Sequence, residues 1–140
     1  MPNETYNNLE IQGDQIEINN YFLLHRMSIE DSQDEYWDFE KSVPVSNDSM
    51  KEKEWGTYRG LVYIQRNKAI INTPHRPCDI WFKSMVTKFP KLTFILKYSD
   101  EYREEFYGWI VATNGTVIAE EEVCLHRDEE QGGIDLYKAV

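Results

Sequence analysis

The 140-residue chain is poor in the residues that usually carry chemistry. Its two cysteines, Cys78 and Cys124, are too few for a disulfide framework. Only His75 and Cys78 stand three apart, with His25 and His126 scattered elsewhere. A metal centre needs a tighter set of ligands, so neither metal nor cofactor is expected. Of the seven glycines only Gly132-Gly133 are adjacent, and no glycine-rich phosphate-loop pattern occurs. No G-x-S-x-G elbow and no activated Cys–His signature occurs. Neighbouring acids such as Glu104 and Glu105 fall in a turn, where carboxylates are solvated rather than poised for proton transfer. No apolar run reaches membrane-spanning length, and the opening MPNETYNN lacks a basic-then-apolar pattern. These absences lead to the expectation of a cytoplasmic protein that is not an enzyme.

Basic residues are also scarce. Fifteen Lys and Arg stand against twenty-five Asp and Glu, giving a formal charge of −10. Such a balance opposes a generic grip on nucleic acid or on an anionic membrane, but suits a basic protein partner. Hydrophobic residues make up 41% of the chain, too many for a disordered polymer and enough for one core. A single domain spanning residues 1–140 is expected.

The segment that organises the rest runs over residues 78–98. Ile80, Trp81, Met85 and Phe89 recur at helical spacing, and Pro90 ends the helix. Leu92, Phe94, Leu96 and Tyr98 then alternate as in a strand. Upstream, Leu9-Glu10-Ile11 reads as a strand closed by Gly13, and Asp14 with Glu17 as a capping pair. Ile16, Leu23 and Met27 mark one face of a helix running to about Met27, widened by Phe22 and Leu24. Residues 28–54 form the longest irregular stretch. Two strands over residues 60–65 and 68–73 flank Arg66-Asn67, and two more flank Asn114-Gly115, the strongest hairpin signal present. This order predicts an α+β fold: a ferredoxin-like βαββαβ sandwich with an extra C-terminal β-hairpin. Its core would span residues 7–121, followed by an acidic tail over residues 122–140.

Several short motifs occur in a familiar order: Asn8-Leu9-Glu10-Ile11-Gln12-Gly13, Asp38-Phe39 leading to Pro44, Glu54-Trp55-Gly56-Thr57, Thr73 with Pro77, residues 89–98, and Asn114-Gly115. Together they resemble the YubB-like family of ferredoxin-like domains found on plasmids, phages and other mobile elements. The similarity covers residues 7–121. The chain departs from that pattern at residues 73–78, where a Trp and an adjacent Pro pair are expected. It departs again after Tyr98, where an acidic turn replaces a Gly-rich segment. The resemblance implies fold and mobile-element origin, and no activity.

Two constellations remain as candidate partner-binding residues. One is Trp55-Gly56-Thr57-Tyr58, in which a Trp and a Tyr beside a Gly could serve as bulky anchors. The other is the clustered acid. Residues 28–54 carry −6, residues 99–105 carry −3 and residues 119–130 carry −5, so the remaining positions total +4. Asp100, Glu101, Glu104 and Glu105 belong to the second of these segments. A convergent carboxylate array could replace phosphates in a basic groove and speed association. By analogy with anti-CRISPR and anti-restriction DNA mimics, the leading expectation is an inhibitor of a host nucleic-acid-handling defence protein, a CRISPR effector being one example. The alternatives are a structural or regulatory module that self-associates as a homodimer or pairs through a sheet edge, and a ferredoxin-like RNA binder. For the last, Arg59-Gly60-Leu61-Val62-Tyr63-Ile64 faintly echoes an RNA-recognition strand, on the second strand rather than the third.

Overall fold

The computed structural model describes residues 4–28, 33–100, 106–128 and 133–139, with side chains described to residue 123. Among the described residues three α-helices and nine strands follow one another as β1 (Glu4–Gln12), α1 (Gln15–His25), β2 (Arg26–Ser28), β3 (Glu35–Trp37), α2 (Lys51–Trp55), β4 (Leu61–Gln65), β5 (Lys68–Pro74), α3 (Asp79–Met85), β6 (Thr93–Asp100), β7 (Phe106–Thr113), β8 (Thr116–Asp128) and β9 (Gly133–Ala139). The strands form one sheet in the order β2-β3-β4-β5-β1-β6-β7-β8-β9, and every neighbouring pair is antiparallel. The fold is therefore α+β, dominated by an antiparallel sheet.

Alternation along the strands sorts their side chains onto two faces. Leu9 and Ile11 of β1, Ala69 and Ile71 of β5, Phe94 and Leu96 of β6, and Ile110 and Ala112 of β7 are buried on one face. The helices cover that face. Tyr21 of α1 stands 5.2 Å from the Phe94 ring, and Phe82 of α3 stands 6.2 Å from it at a right angle. Trp81, Phe82, Met85 and Val86 fill the space between helix and sheet. Burying each such side chain contributes about 1.5–3 kcal/mol relative to leaving it in water. Asn7 lies within this layer with its polar groups satisfied. Its Nδ2 donates to the Ile71 carbonyl (2.8 Å) and Thr73 Oγ1 (2.9 Å), and its Oδ1 accepts from the Cys78 N–H (3.1 Å). One amide thus joins β1, β5 and the entry to α3.

The first helix begins as its sequence suggests, with Asp14 Oδ2 accepting from the N–H groups of Ile16 and Glu17. Its buried face differs from the expected one. Ile18, Tyr21, Phe22 and His25 are buried, whereas Ile16 and Leu23 are 70% and 72% exposed. The larger rings occupy the core because their polar atoms find partners there. Tyr21 donates to Met85 Sδ (3.4 Å), and His25 sits between the Tyr21 carbonyl (2.8 Å) and Ser42 Oγ (2.9 Å). The helix also stops at His25 instead of Met27. Arg26–Ser28 turns extended and pairs with Glu35–Trp37, held by the bidentate contact of Arg26 with Glu35.

Both expected hairpins form. Asn114 and Gly115 take positive φ of 54° and 77°, as a tight two-residue turn requires. In the other hairpin the left-handed residue is Arg66 (φ 56°) rather than Asn67. Asn67 is held by its bonds to the Gln15 side chain and by its carbonyl, which accepts from the Ile11 N–H. β8 continues through the 121/122 border of the expected tail, and β9 pairs with it from Glu122↔Ala139 to Asp128↔Gly133.

Candidate interaction surfaces

Of the four residues singled out around the Trp-Gly pair, two are core. Trp55 is only 4% exposed; its indole N–H donates to the Val43 carbonyl (2.8 Å) and its ring lies 5.3 Å from Phe39. Thr57 is buried as well. An indole has one polar atom, and a carbonyl within reach makes its burial favourable, so Trp55 is not an exposed anchor. Gly56 ends α2 in the left-handed region (φ 86°), and a Cβ there would meet the Pro77 carbonyl at 2.6 Å. Tyr58 alone of the four is exposed, with the Arg59 guanidinium 5.7 Å from its ring. Asp100 is buried at the end of β6, opposite Thr5. Glu101, Glu104 and Glu105 lie outside the described residues.

Topology brings two of the acidic segments to one end of the sheet. Across the sheet, Met27, Tyr36, Leu61, Asn72, Tyr6, Ser99, Tyr107 and Val123 stand in one row of register partners. One step beyond that row lie Arg26 with Trp37, Thr5 with Asp100, and Phe106 with Cys124, and β8 runs on in that direction to Asp128 opposite Gly133, whereas Ser28 with Glu35 lies one step the other way. The strand ends that flank residues 101–105 and 129–132 are therefore at the same end of the sheet, and those that flank residues 29–34 are at the opposite end. Residues 101–105 carry Glu101, Glu104 and Glu105 against Arg103, and residues 129–132 carry Glu129 and Glu130. Glu4, Asp100 and Asp128 belong to the strand ends on that side. The opposite end combines Glu35 and the flanked acids Glu30, Asp31 and Asp34 with Arg66 and Lys91 of the turns.

The second surface is the sheet face that the helices leave uncovered. Register places Tyr63, Ile70, Asn8, Lys97, Trp109 and Glu121 in one row across β4, β5, β1, β6, β7 and β8. Tyr6 and Tyr107 occupy the adjoining row. Tyr6, Tyr63, Ile70 and Tyr107 are exposed, and Trp109 is half-buried. Tyr6, Asn8, Ile70, Lys97, Tyr107 and Trp109 border a shallow groove of about 510 Å³. Asn8 Oδ1 is shielded there, and Asn72 Oδ1 is shielded on the same face in register with Tyr6; neither accepts a hydrogen bond from the described residues. Sequence reading missed this face because it sought the buried parity of each strand. Its signal was the other parity, where Tyr6, Tyr63, Tyr107 and Trp109 stand between the core positions.

The titratable groups of the interior have structural surroundings. Burial pushes the Cys78 thiol well above its usual range, with the neighbouring Asp79 adding to the shift, so it is not a reactive thiolate. Burial also raises the Asp79 carboxyl, opposed by Arg76. His25 is lowered from 6.5 to about 4 by burial, against the raising effects of the Tyr21 carbonyl and Asp38. Among the described residues no group of three or more His, Cys, Asp or Glu is arranged to hold a metal ion, and no helix is long and apolar enough to cross a membrane. Comparison with protein-family models, with curated proteins and with solved structures finds no match to this chain.

Proposed function

We propose that this is a non-enzymatic binding protein that docks the acidic end of its sheet onto a basic, nucleic-acid-handling protein. The observation that carries this reading is the sheet end shared by the strands that flank two acidic connections, residues 101–105 and 129–132. Carboxylates grouped at one end of a molecule of charge −10 attract a basic groove over roughly a Debye length, about 8 Å at physiological ionic strength. They also repel nucleic acid and second copies of the chain. The order β4-β5-β1-β6, with α1 after β1 and α3 after β5, supports reading the centre as a ferredoxin-like βαββαβ core with β7, β8 and β9 added. With the resemblance to YubB-like domains, this favours a mobile-element protein acting in the cytoplasm on a host defence nuclease, a CRISPR effector being the type case, as a DNA mimic.

The test is a tagged pull-down from nuclease-treated host lysate at low and high salt. Enrichment of one basic nucleic-acid enzyme, lost at high salt, is the expected result. Capture that survives conversion of Glu101, Glu104 and Glu105 to Gln would remove the acidic end from the reading. Self-association is the second reading, favoured by β9 standing as the outermost strand with an edge open to further pairing. Recovery of the protein alone, with a mass that grows with concentration, would favour it.

A further inference from the structure

We propose that the uncovered face of the sheet is a groove for an extended peptide segment of that same basic partner. The inference rests on the reading above and adds to it a second, largely uncharged contact. Three features of the groove select this occupant. Its walls are Tyr6, Ile70, Tyr107 and Trp109, and exposed Tyr and Trp concentrate binding energy at protein contacts at little cost in side-chain entropy.

Its polar groups match a peptide backbone. The shielded Oδ1 of Asn8, and that of Asn72 on the same face beside the groove, lack donors, and a buried acceptor without a donor is destabilising until something supplies one. A backbone N–H supplies it, while the Asn amide N–H and the Lys97 ammonium, which also borders the groove, can donate to a backbone carbonyl. The row from Tyr63 to Trp109 crosses five strands, about 19 Å at the usual strand spacing, which an extended segment of about six residues would span.

Charge decides between occupants. Lys68 and Lys97 are offset on this face by Glu10 and Glu121, so the groove has no excess of cations to hold a phosphate chain. A second copy would bring another −10 against the acidic end. A segment with one apolar side chain flanked by Lys or Arg fits both the groove and its acidic surroundings.

The experiment presents the full chain to a phage-displayed library of random 12-residue peptides. Enriched peptides are then titrated against the wild type, Asn8→Leu and Tyr107→Ser. The expected result is a consensus of an apolar residue beside Lys or Arg, with affinity falling at least tenfold in both variants. Tyr107 is a surface residue, so its variant tests the groove even if Asn8→Leu disturbs the fold. The proposal is overturned by an absence of enriched peptides, by an acidic consensus, or by affinities that neither variant changes. Tighter binding of a 12-nucleotide uridine oligomer, or a doubled mass abolished by Tyr107→Ser, would overturn it in favour of nucleic acid or a second copy. Salt-sensitive capture in the pull-down that withstands both groove variants would sink the groove and leave the acidic-end reading intact. Capture that withstands the Glu→Gln changes would sink the latter.

Discussion

The two faces of the sheet are made by the same strands and the same alternation, yet they meet opposite fates. On the covered face Trp81, Phe82, Phe94 and Tyr21 are buried together; Trp81 Nε1 donates to the Phe39 carbonyl (3.0 Å) and Tyr21 to Met85, while Nε1 of the adjacent Trp37 has no partner among the described residues. On the uncovered face Tyr6, Tyr63 and Tyr107 meet solvent, and the Asn8 and Asn72 carbonyl oxygens accept nothing from the chain. Aromatic content alone does not decide where a residue's energy goes. A layer above it does: rings are buried where helices pack and stay exposed where they do not.

The comparison breaks most sharply at Trp81. Its ring contacts Trp37, Phe39 and His25 with centroids within 6 Å, so truncation leaves a cavity that no neighbour can fill. Trp81→Ala is expected to cost about 3–5 kcal/mol, enough to unfold much of the population. Urea titration followed by circular dichroism measures it, and a loss under 1 kcal/mol would mean the helix layer is not the core.

Acid should separate the faces next. The Tyr21 carbonyl can only accept, which places the His25 proton on Nδ1 and leaves Nε2 to accept from Ser42. With a folded pKa of about 4 against 6.5 in the open chain, the imidazole gains its proton only on unfolding between those values. The stability it permits is complete above pH 6.5 and is lost as pH falls toward 4, by about 3 kcal/mol in all. A His25→Gln variant should show a flatter stability profile across that window, and an identical slope would remove His25 as the cause.

Gly108 offers a smaller effect on the covered side. A Cβ at this position would lie 2.4 Å from the Tyr98 ring, whose hydroxyl donates to Glu122 (3.1 Å) and so resists displacement. Gly108→Ala is expected to destabilise by about 1–3 kcal/mol through overpacking. Repeating the substitution in a Tyr98→Leu background should relieve most of the loss.

How much of this was legible depended on how local the signal was. The Asp14 cap, the Asn114-Gly115 turn and the alternation from Leu92 to Tyr98 are set by neighbours in sequence, and each took its expected form. The face of α1 was misjudged because Ile16 and Leu23 are more hydrophobic than Tyr21 and His25. What reversed the order was the supply of partners from Met85 and Ser42, which are distant in sequence. Strands β2 and β3 were missed for the same reason, since Arg26 pairs with Glu35 across a segment that reads as acidic loop. That the strands flanking residues 101–105 and 129–132 share one end of the sheet follows only from strand order, which no single stretch of sequence encodes.

The smallest effect is also the most specific to the uncovered face. Tyr63 is 63% exposed at the β4 end of its row, so the folded chain leaves most of its ring in water, much as the unfolded chain does. Only strand propensity is then at stake, and Tyr63→Ser is expected to shift stability by less than about 1 kcal/mol. Thermal melts and peptide titrations on the same sample give the two numbers together. A small stability change with a clear loss of affinity would assign the ring to recognition. A loss of several kcal/mol would instead mean that something covers this face in solution, and the contrast between the two sides of the sheet would have to be redrawn around whatever element that is.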